Sequence, residues 1–221
     1  MVFPFDYIFY KNTINKHFYV VSLIPTFAAG QNNLMDIKRI VITGGPGTGK
    51  TTIIETLMNL GFSSMEEVSR QIIRDAQDRG IDQLFLHDPL GFSLEVARGR
   101  ARHFHDAARL KQKVTFFDRG IPDVPAYLNY SESLIPREIQ KLALELRYDM
   151  VFLVHPWRDI YTADSERYES FEMAQNIHNH LVKTYQSLNY NPIEVPFGDV
   201  TFRVNFIISC LKKQNILPGQ S

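Results

Sequence analysis

Gly44-Gly45-Pro46-Gly47-Thr48-Gly49-Lys50-Thr51 decides the reading of this chain. It lies between an apolar run, Arg39-Ile40-Val41-Ile42-Thr43, and a segment from Thr52 to Leu60 with helical spacing. The stretch satisfies G-x-x-x-x-G-K-[ST] at Gly44, Gly49, Lys50 and Thr51. A loop so rich in glycine folds closely round an anion, with its N–H groups turned inward and a helix N-terminus behind them. The spacing predicts that Gly45, Pro46, Gly47, Thr48, Gly49, Lys50, Thr51 and Thr52 hold the phosphates of a nucleoside triphosphate. In that pattern Lys50 reaches the β- and γ-phosphates and the Thr51 hydroxyl ligates Mg²⁺.

Working outward, short apolar runs alternate with helical patterns, which predicts βαβ units and a parallel sheet. Strands are expected at Ile40–Thr43, Phe62–Met65, Val114–Phe117, Met150–Val154 and Ile193–Val195. Helices are expected at 52–60, 66–79, 92–112, 136–147, 169–188 and 200–213. The fold class is therefore α/β, a doubly wound parallel sheet of about five strands. Ligands of such sheets bind beyond the carboxyl ends of the strands.

At 221 residues the chain has room for one well-cored domain, expected over 35–215. Residues 1–34 read as an N-terminal extension, disordered or arising from a mis-assigned start, with Met35 as the natural beginning. Phe18 to Ala29 resembles a signal-peptide core but is short and broken by Pro25, so stable membrane insertion is not expected. Export would also part the protein from its nucleotide. Lys+Arg and Asp+Glu balance at 24 each, which gives no electrostatic case for nucleic acid. The one cysteine, Cys210, lies in an apolar run and reads as a structural thiol in a reducing, cytoplasmic setting. His103 and His105, like His178 and His180, fall on opposite helix faces and read as surface residues rather than zinc ligands.

Asp118 follows an apolar strand directly, where a carboxylate can hold Mg²⁺ or accept a proton. Arg119 beside it offers a fork for phosphate or carboxylate, and Asp123 a cap for a short helix. Glu67 and Arg70 are one helical turn apart. They read either as a base and a substrate anchor or as an ordinary surface ion pair. Arg158 and Arg167 flank a polar segment of the kind that closes over a γ-phosphate, and Arg167 suits that role better. Trp157 reads as a core residue. No Asn-Lys-x-Asp guanine reader follows a late strand.

Taken together, the phosphate loop, Glu67-Val68-Ser69-Arg70, Phe116-Phe117-Asp118-Arg119-Gly120-Ile121-Pro122-Asp123, Pro156-Trp157 with Ile160-Tyr161, and Asp164-Ser165-Glu166-Arg167 resemble one family over residues 37–212. It is the group of bacterial predicted ATPases that carry an AAA label, related to the nicotinamide riboside kinase domain and to the eukaryotic TRPL translocation defect protein. Despite the label, the pattern is more similar to nucleoside and nucleotide kinases than to ring-forming AAA machines. The resemblance implies a Mg²⁺-dependent ATPase that moves the γ-phosphoryl of ATP to a small-molecule acceptor, as a monomer or homodimer. It implies Lys50, Glu67, Asp118, Arg119 and Arg167 as catalytic residues, Glu67, Arg70 and Arg119 as acceptor contacts, and Thr51 and Asp118 as metal ligands. The eukaryotic relative is reported to bind GTP and phosphoinositides. The resemblance therefore also admits a GTP- or ATP-dependent regulatory switch with slow hydrolysis, and lipid binding with it.

Overall fold

A computed structural model describes residues 8–11, 18–21, 37–81, 84–110, 112–160 and 170–218. The chain divides into two compact units, Met1–Asn33 and Leu34–Ser221. In the first, β1 (Ile8–Lys11) and β2 (Phe18–Val21) pair antiparallel, Ile8 opposite Val21. The rest of the expected extension lies outside the described residues.

The second unit runs β3 (Lys38–Gly44), α1 (Lys50–Asn59), β4 (Ser63–Met65), α2 (Val68–Gln77), α3 (Leu84–His87), α4 (Pro89–Asp106), β5 (Val114–Asp118), α5 (Asp123–Tyr130), α6 (Arg137–Glu145), β6 (Met150–Val154), α7 (Phe171–Ser187), β7 (Ile193–Val195) and α8 (Val200–Lys213). Its sheet is parallel throughout, in the order β4-β5-β3-β6-β7. The phosphate-loop strand β3 is central, and the chain winds first to one side of it and then to the other, as expected of a doubly wound sheet. Register places Ile42 beside Asp118 and Gly44 beside Val154, so β3 and β6 end level and β5 ends two residues earlier, at Asp118.

Alternation along each strand feeds two cores. Ile40 and Ile42 of β3, Phe116 of β5 and Phe152 of β6 face α1 and α8, meeting Ile53, Leu57, Val204, Ile207 and Leu211. Val41, Phe117, Val151 and Leu153 point the other way, onto Ala126 of α5, Ala143 of α6 and Ile177, Leu181 and Tyr185 of α7. Strands buried on both faces read as unbroken apolar runs, which is why they were visible in the sequence. Among the described residues no helix is long and apolar enough to cross a membrane.

The helix boundaries correct several expectations. Helix α1 begins at Lys50, two residues early, because Gly49 supplies a left-handed backbone (φ 81°) from which the helix starts. Helix α4 begins at Pro89, with the Asp88 carboxylate accepting a bond from Gly91 N, and ends at Asp106, well short of residue 112. The short α3 was not anticipated, and the short helix expected at Asp123 is α5, eight residues long.

Helix α7 packs against α5, and its Tyr185 hydroxyl donates to Asp123 Oδ2 at 2.6 Å in a fully buried setting. Tyr185→Phe keeps the ring packing and removes that bond. Urea unfolding of the variant should show a loss of about 1–3 kcal/mol; an unchanged midpoint would mean the bond contributes nothing.

Candidate active site

Two close approaches shape the phosphate loop. A Cβ at Gly44 would collide with the carbonyl oxygen of Val154, and one at Gly49 would lie 3.0 Å from Arg203 Nη1. Helix α1 has no side-chain cap and no acidic residue in its first turn. Its first amides therefore have no anionic partner of their own and remain available to phosphate. Lys50 is only 7% exposed, and its Nζ donates to Gly45 O at 2.6 Å and to Thr48 Oγ1 at 3.2 Å. Burial first, and then the charge of Arg119, push its pKa down to about 7. Thr51 and Thr52 are exposed on the first turn of α1.

Behind the loop stands a residue that sequence reading missed. Arg203 of α8 is buried and donates from Nη2 to Thr48 O at 2.7 Å, a charge-assisted bond that ties up this loop carbonyl. No motif marks it, because it lies about 150 residues from the loop it braces.

On the other side the turn after β5 is built round Arg119 and Asp123. Arg119 has φ 70°, a left-handed conformation that costs energy for a side chain of its size and that the surroundings must enforce. Its backbone N–H bonds Ile42 O at 3.1 Å, while Nη1 donates to Gly44 O at 3.0 Å and Nε to Glu67 Oε1 at 3.0 Å. Asp123 was expected as a helix cap. It is instead the first residue of α5 and fully buried, with Oδ1 accepting from Thr43 Oγ1 at 2.5 Å and Arg119 Nη1 at 3.4 Å. Its Oδ2 accepts from Gly120 N at 3.0 Å and from Tyr185. Nothing local to Asp123 in the sequence could show that Thr43 and Tyr185 converge there.

Glu67 and Arg70 do form an ion pair, 2.9 Å from Arg70 Nε to Glu67 Oε2, with Arg70 60% exposed at the rim. Glu67 sits at the N-cap position of α2 and also receives Arg119 Nε and the Ser69 hydroxyl (2.9 Å). Burial alone would raise its pKa. Arg119, Lys50, the Ser69 bond and Arg70 together outweigh that and hold it at about 2. Asp118 behaves oppositely. Burial, followed by the charge of Glu67, raises its pKa against the pull of Lys50 and Arg119. Its Oδ1 is buried with no hydrogen-bond partner, as expected of an oxygen kept for a cation or its water. That orphaned oxygen, on the last residue of β5 and beside Ile42 of β3, and the exposed hydroxyl of Thr51 make a donor set suited to Mg²⁺.

Arg167 lies outside the described residues. Arg158 is exposed, with its guanidinium 4.9 Å from the Phe171 ring centroid. Trp157 is half-buried rather than core and stacks near Phe197, with centroids 5.5 Å apart. His178 corrects the surface reading: it is buried on α7 with its ring 4.4 Å from that of His155, and burial and His155 lower its pKa to about 4. Cys210 packs beside the α1–α8 core.

Residues 39–203 match a family model described as an AAA domain. The chain belongs to that family. It is 26% identical over 131 residues to the trifunctional NAD biosynthesis/regulator protein NadR of Escherichia coli strain K12; that match takes in 55% of the chain and 30% of NadR. The chain thus spans about a third of the length of this relative. Its fold is similar to the crystal structure of NadR with NAD and AMP-PNP (TM-score 0.62, 16% identity, 84% of this chain and 51% of that one). It is also similar to deoxyadenosine kinase from M. mycoides with bound dATP (TM-score 0.56, 17% identity, 79% and 99%). The parallel sheet and its helices thus share the fold of these two proteins.

The lowered pKa of Lys50 gives a proton-linkage prediction. A polyphosphate beside Nζ favours the charged form and raises the pKa, so nucleotide binding above about pH 7 should draw in a proton. Calorimetric titrations of Mg·AMP-PNP in buffers of different ionisation enthalpy should register uptake of most of one proton near pH 8. That uptake should fade near pH 6, where Lys50 is already charged. The same uptake at both pH values would contradict the shift.

Proposed function

We propose that residues 35–215 form a Mg²⁺-dependent phosphotransferase that moves the γ-phosphoryl group of ATP to a small-molecule acceptor, with GTP as an alternative donor. One observation carries this reading. Pro46 of the phosphate loop is also a wall of a cavity of about 230 Å³, together with Glu67, Arg100, Arg119, Asp123 and Tyr127. A triphosphate cradle and an acceptor-sized recess that share a wall suit transfer better than simple hydrolysis, which needs access only for water. The nucleotide-bound NadR and deoxyadenosine kinase structures of similar fold support a nucleotide-handling site.

In this mechanism the amides of Gly45 to Thr52 and the Lys50 ammonium neutralise the triphosphate. Thr51 and Asp118 would hold Mg²⁺, which would neutralise charge on the triphosphate. Arg119 is fixed by Gly44 O, Glu67 and Asp123 before any substrate arrives, so its positive charge costs no reorganisation when charge develops. Arg167 is assigned the complementary position over the γ-phosphate. Glu67, whose proton affinity is far too low for a base at neutral pH, aims Arg119 and Arg70. If the acceptor is a hydroxyl, Asp118 is the carboxylate suited to take its proton. Catalysis is then mostly positioning and electrostatics, as phosphoryl transfer requires. A reducing cytoplasm and a monomer or homodimer complete the proposal.

The rival reading, a nucleotide-dependent switch of the kind the TRPL resemblance suggests, makes a different forecast. A phosphotransferase forms ADP faster when its acceptor is present, whereas a switch changes partner affinity with the bound nucleotide. Acceptor-dependent ADP formation across a metabolite panel distinguishes them. Within that assay Lys50→Ala should lower turnover a hundredfold or more, about 3 kcal/mol of electrostatic stabilisation. Retained turnover would remove Lys50 from the mechanism.

A further inference from the structure

The acceptor cavity holds a charge that the mechanism above does not use. Arg100 of α4 lines it beside Arg119 and is only 5% exposed. Its Nη1 donates to Gly120 O at 2.9 Å, and its buried Nε has no partner. Among the described residues Arg100 has no ion pair. Its neighbour differs: Arg119 is matched by Glu67 at 3.0 Å and Asp123 at 3.4 Å. Asp118 feels Arg100 less than it feels Lys50 and Arg119, and belongs to the triphosphate side. A buried guanidinium without a counter-ion is expensive, and an anionic ligand is the natural compensation. The bond to Gly120 O puts Arg100 at the turn that follows Asp118, the reacting end of the cavity. Phe92, Val96, Val124 and Tyr127, with Ser69 and Ser93 among them, complete the walls, a mainly apolar and aromatic lining suited to a ring.

Resting on the phosphotransfer reading, we propose that the acceptor is a ring-bearing phosphate monoester of the nucleoside monophosphate class, whose phosphate Arg100 and Arg119 engage beside the phosphate loop. An oxygen of that phosphate attacks the γ-phosphorus, the bond from this phosphorus to the β,γ-bridging oxygen breaks, and ADP leaves. The product is a phosphoanhydride. The attacking oxygen is already ionised at neutral pH, so no proton has to be taken up. That requirement agrees with a cavity whose own carboxylates, Glu67 and Asp123, are both committed to arginine, tyrosine and backbone donors.

The test sets five nucleoside 5′-monophosphates against their parent nucleosides in a coupled ADP assay with Mg·ATP, with the product read by phosphorus NMR. At least one monophosphate should stimulate turnover tenfold or more over its nucleoside and give a diphosphate signal. Arg100→Met should raise the KM for that monophosphate at least about tenfold, more than it raises the KM for ATP, and Arg100→Lys should recover part of the loss. A thermal melt checks that both variants fold, and the wild-type comparison stands without them. Stimulation by nucleosides as great as by monophosphates would overturn the inference and leave phosphotransfer intact. Silence from both series, with Mg·ATP still bound, would overturn the inference and the phosphotransfer reading together.

Discussion

One buried carboxylate underpins the geometry of the site. Asp123 has no exposed surface and accepts four hydrogen bonds, from Thr43, Arg119, Gly120 and Tyr185. Those donors come from the end of β3, the turn after β5 and the last turn of α7. Ionised groups are tolerated in an interior only when every lone pair is engaged, and here the engagement ties together the pieces that must not drift. Because Thr43 is the last residue before the phosphate loop, the same knot fixes where that loop begins. Arg119, held by the knot in a left-handed backbone, then grips Gly44 O and Glu67.

The electrostatics of the cleft follow from that fixed frame. Positive groups on three elements, Lys50 on α1, Arg119 after β5 and Arg203 on α8, converge on one short loop, each with its donors committed to named oxygens. Two carboxylates a few residues from these cations are pushed in opposite directions. Glu67 is surrounded by arginines and is locked as an anion, whereas Asp118 is buried with an oxygen left over and holds its proton more readily. Environments that separate two similar groups divide their labour, one positioning and the other free for metal or proton.

Much of this was legible in the chain itself. The central strands β3, β5 and β6 are buried on both faces and therefore appear as apolar runs, and the phosphate loop is a contiguous pattern whose meaning is local. Asp118, Arg119, Glu67 and Arg70 could be named because they follow strands at the functional edge. What escaped was whatever depends on distant chain meeting in space. Asp123 looked like a cap because its partners Thr43 and Tyr185 lie 80 and 62 residues away. Arg100 and Arg203 sit inside helices and belong to no motif, and only packing shows that both are buried. His178 was misjudged for the same reason: a polar residue one step along from Ile177 falls on the buried stripe of α7.

Equilibrium titration of the wild-type protein with Mg·ATP, followed by heat or by nucleotide fluorescence, tests the centre of this account most directly. Saturable binding at one site per chain, abolished when competing pyrophosphate occupies the loop, is the predicted result. Well-folded protein that takes up no magnesium-bound triphosphate would contradict the account at its root.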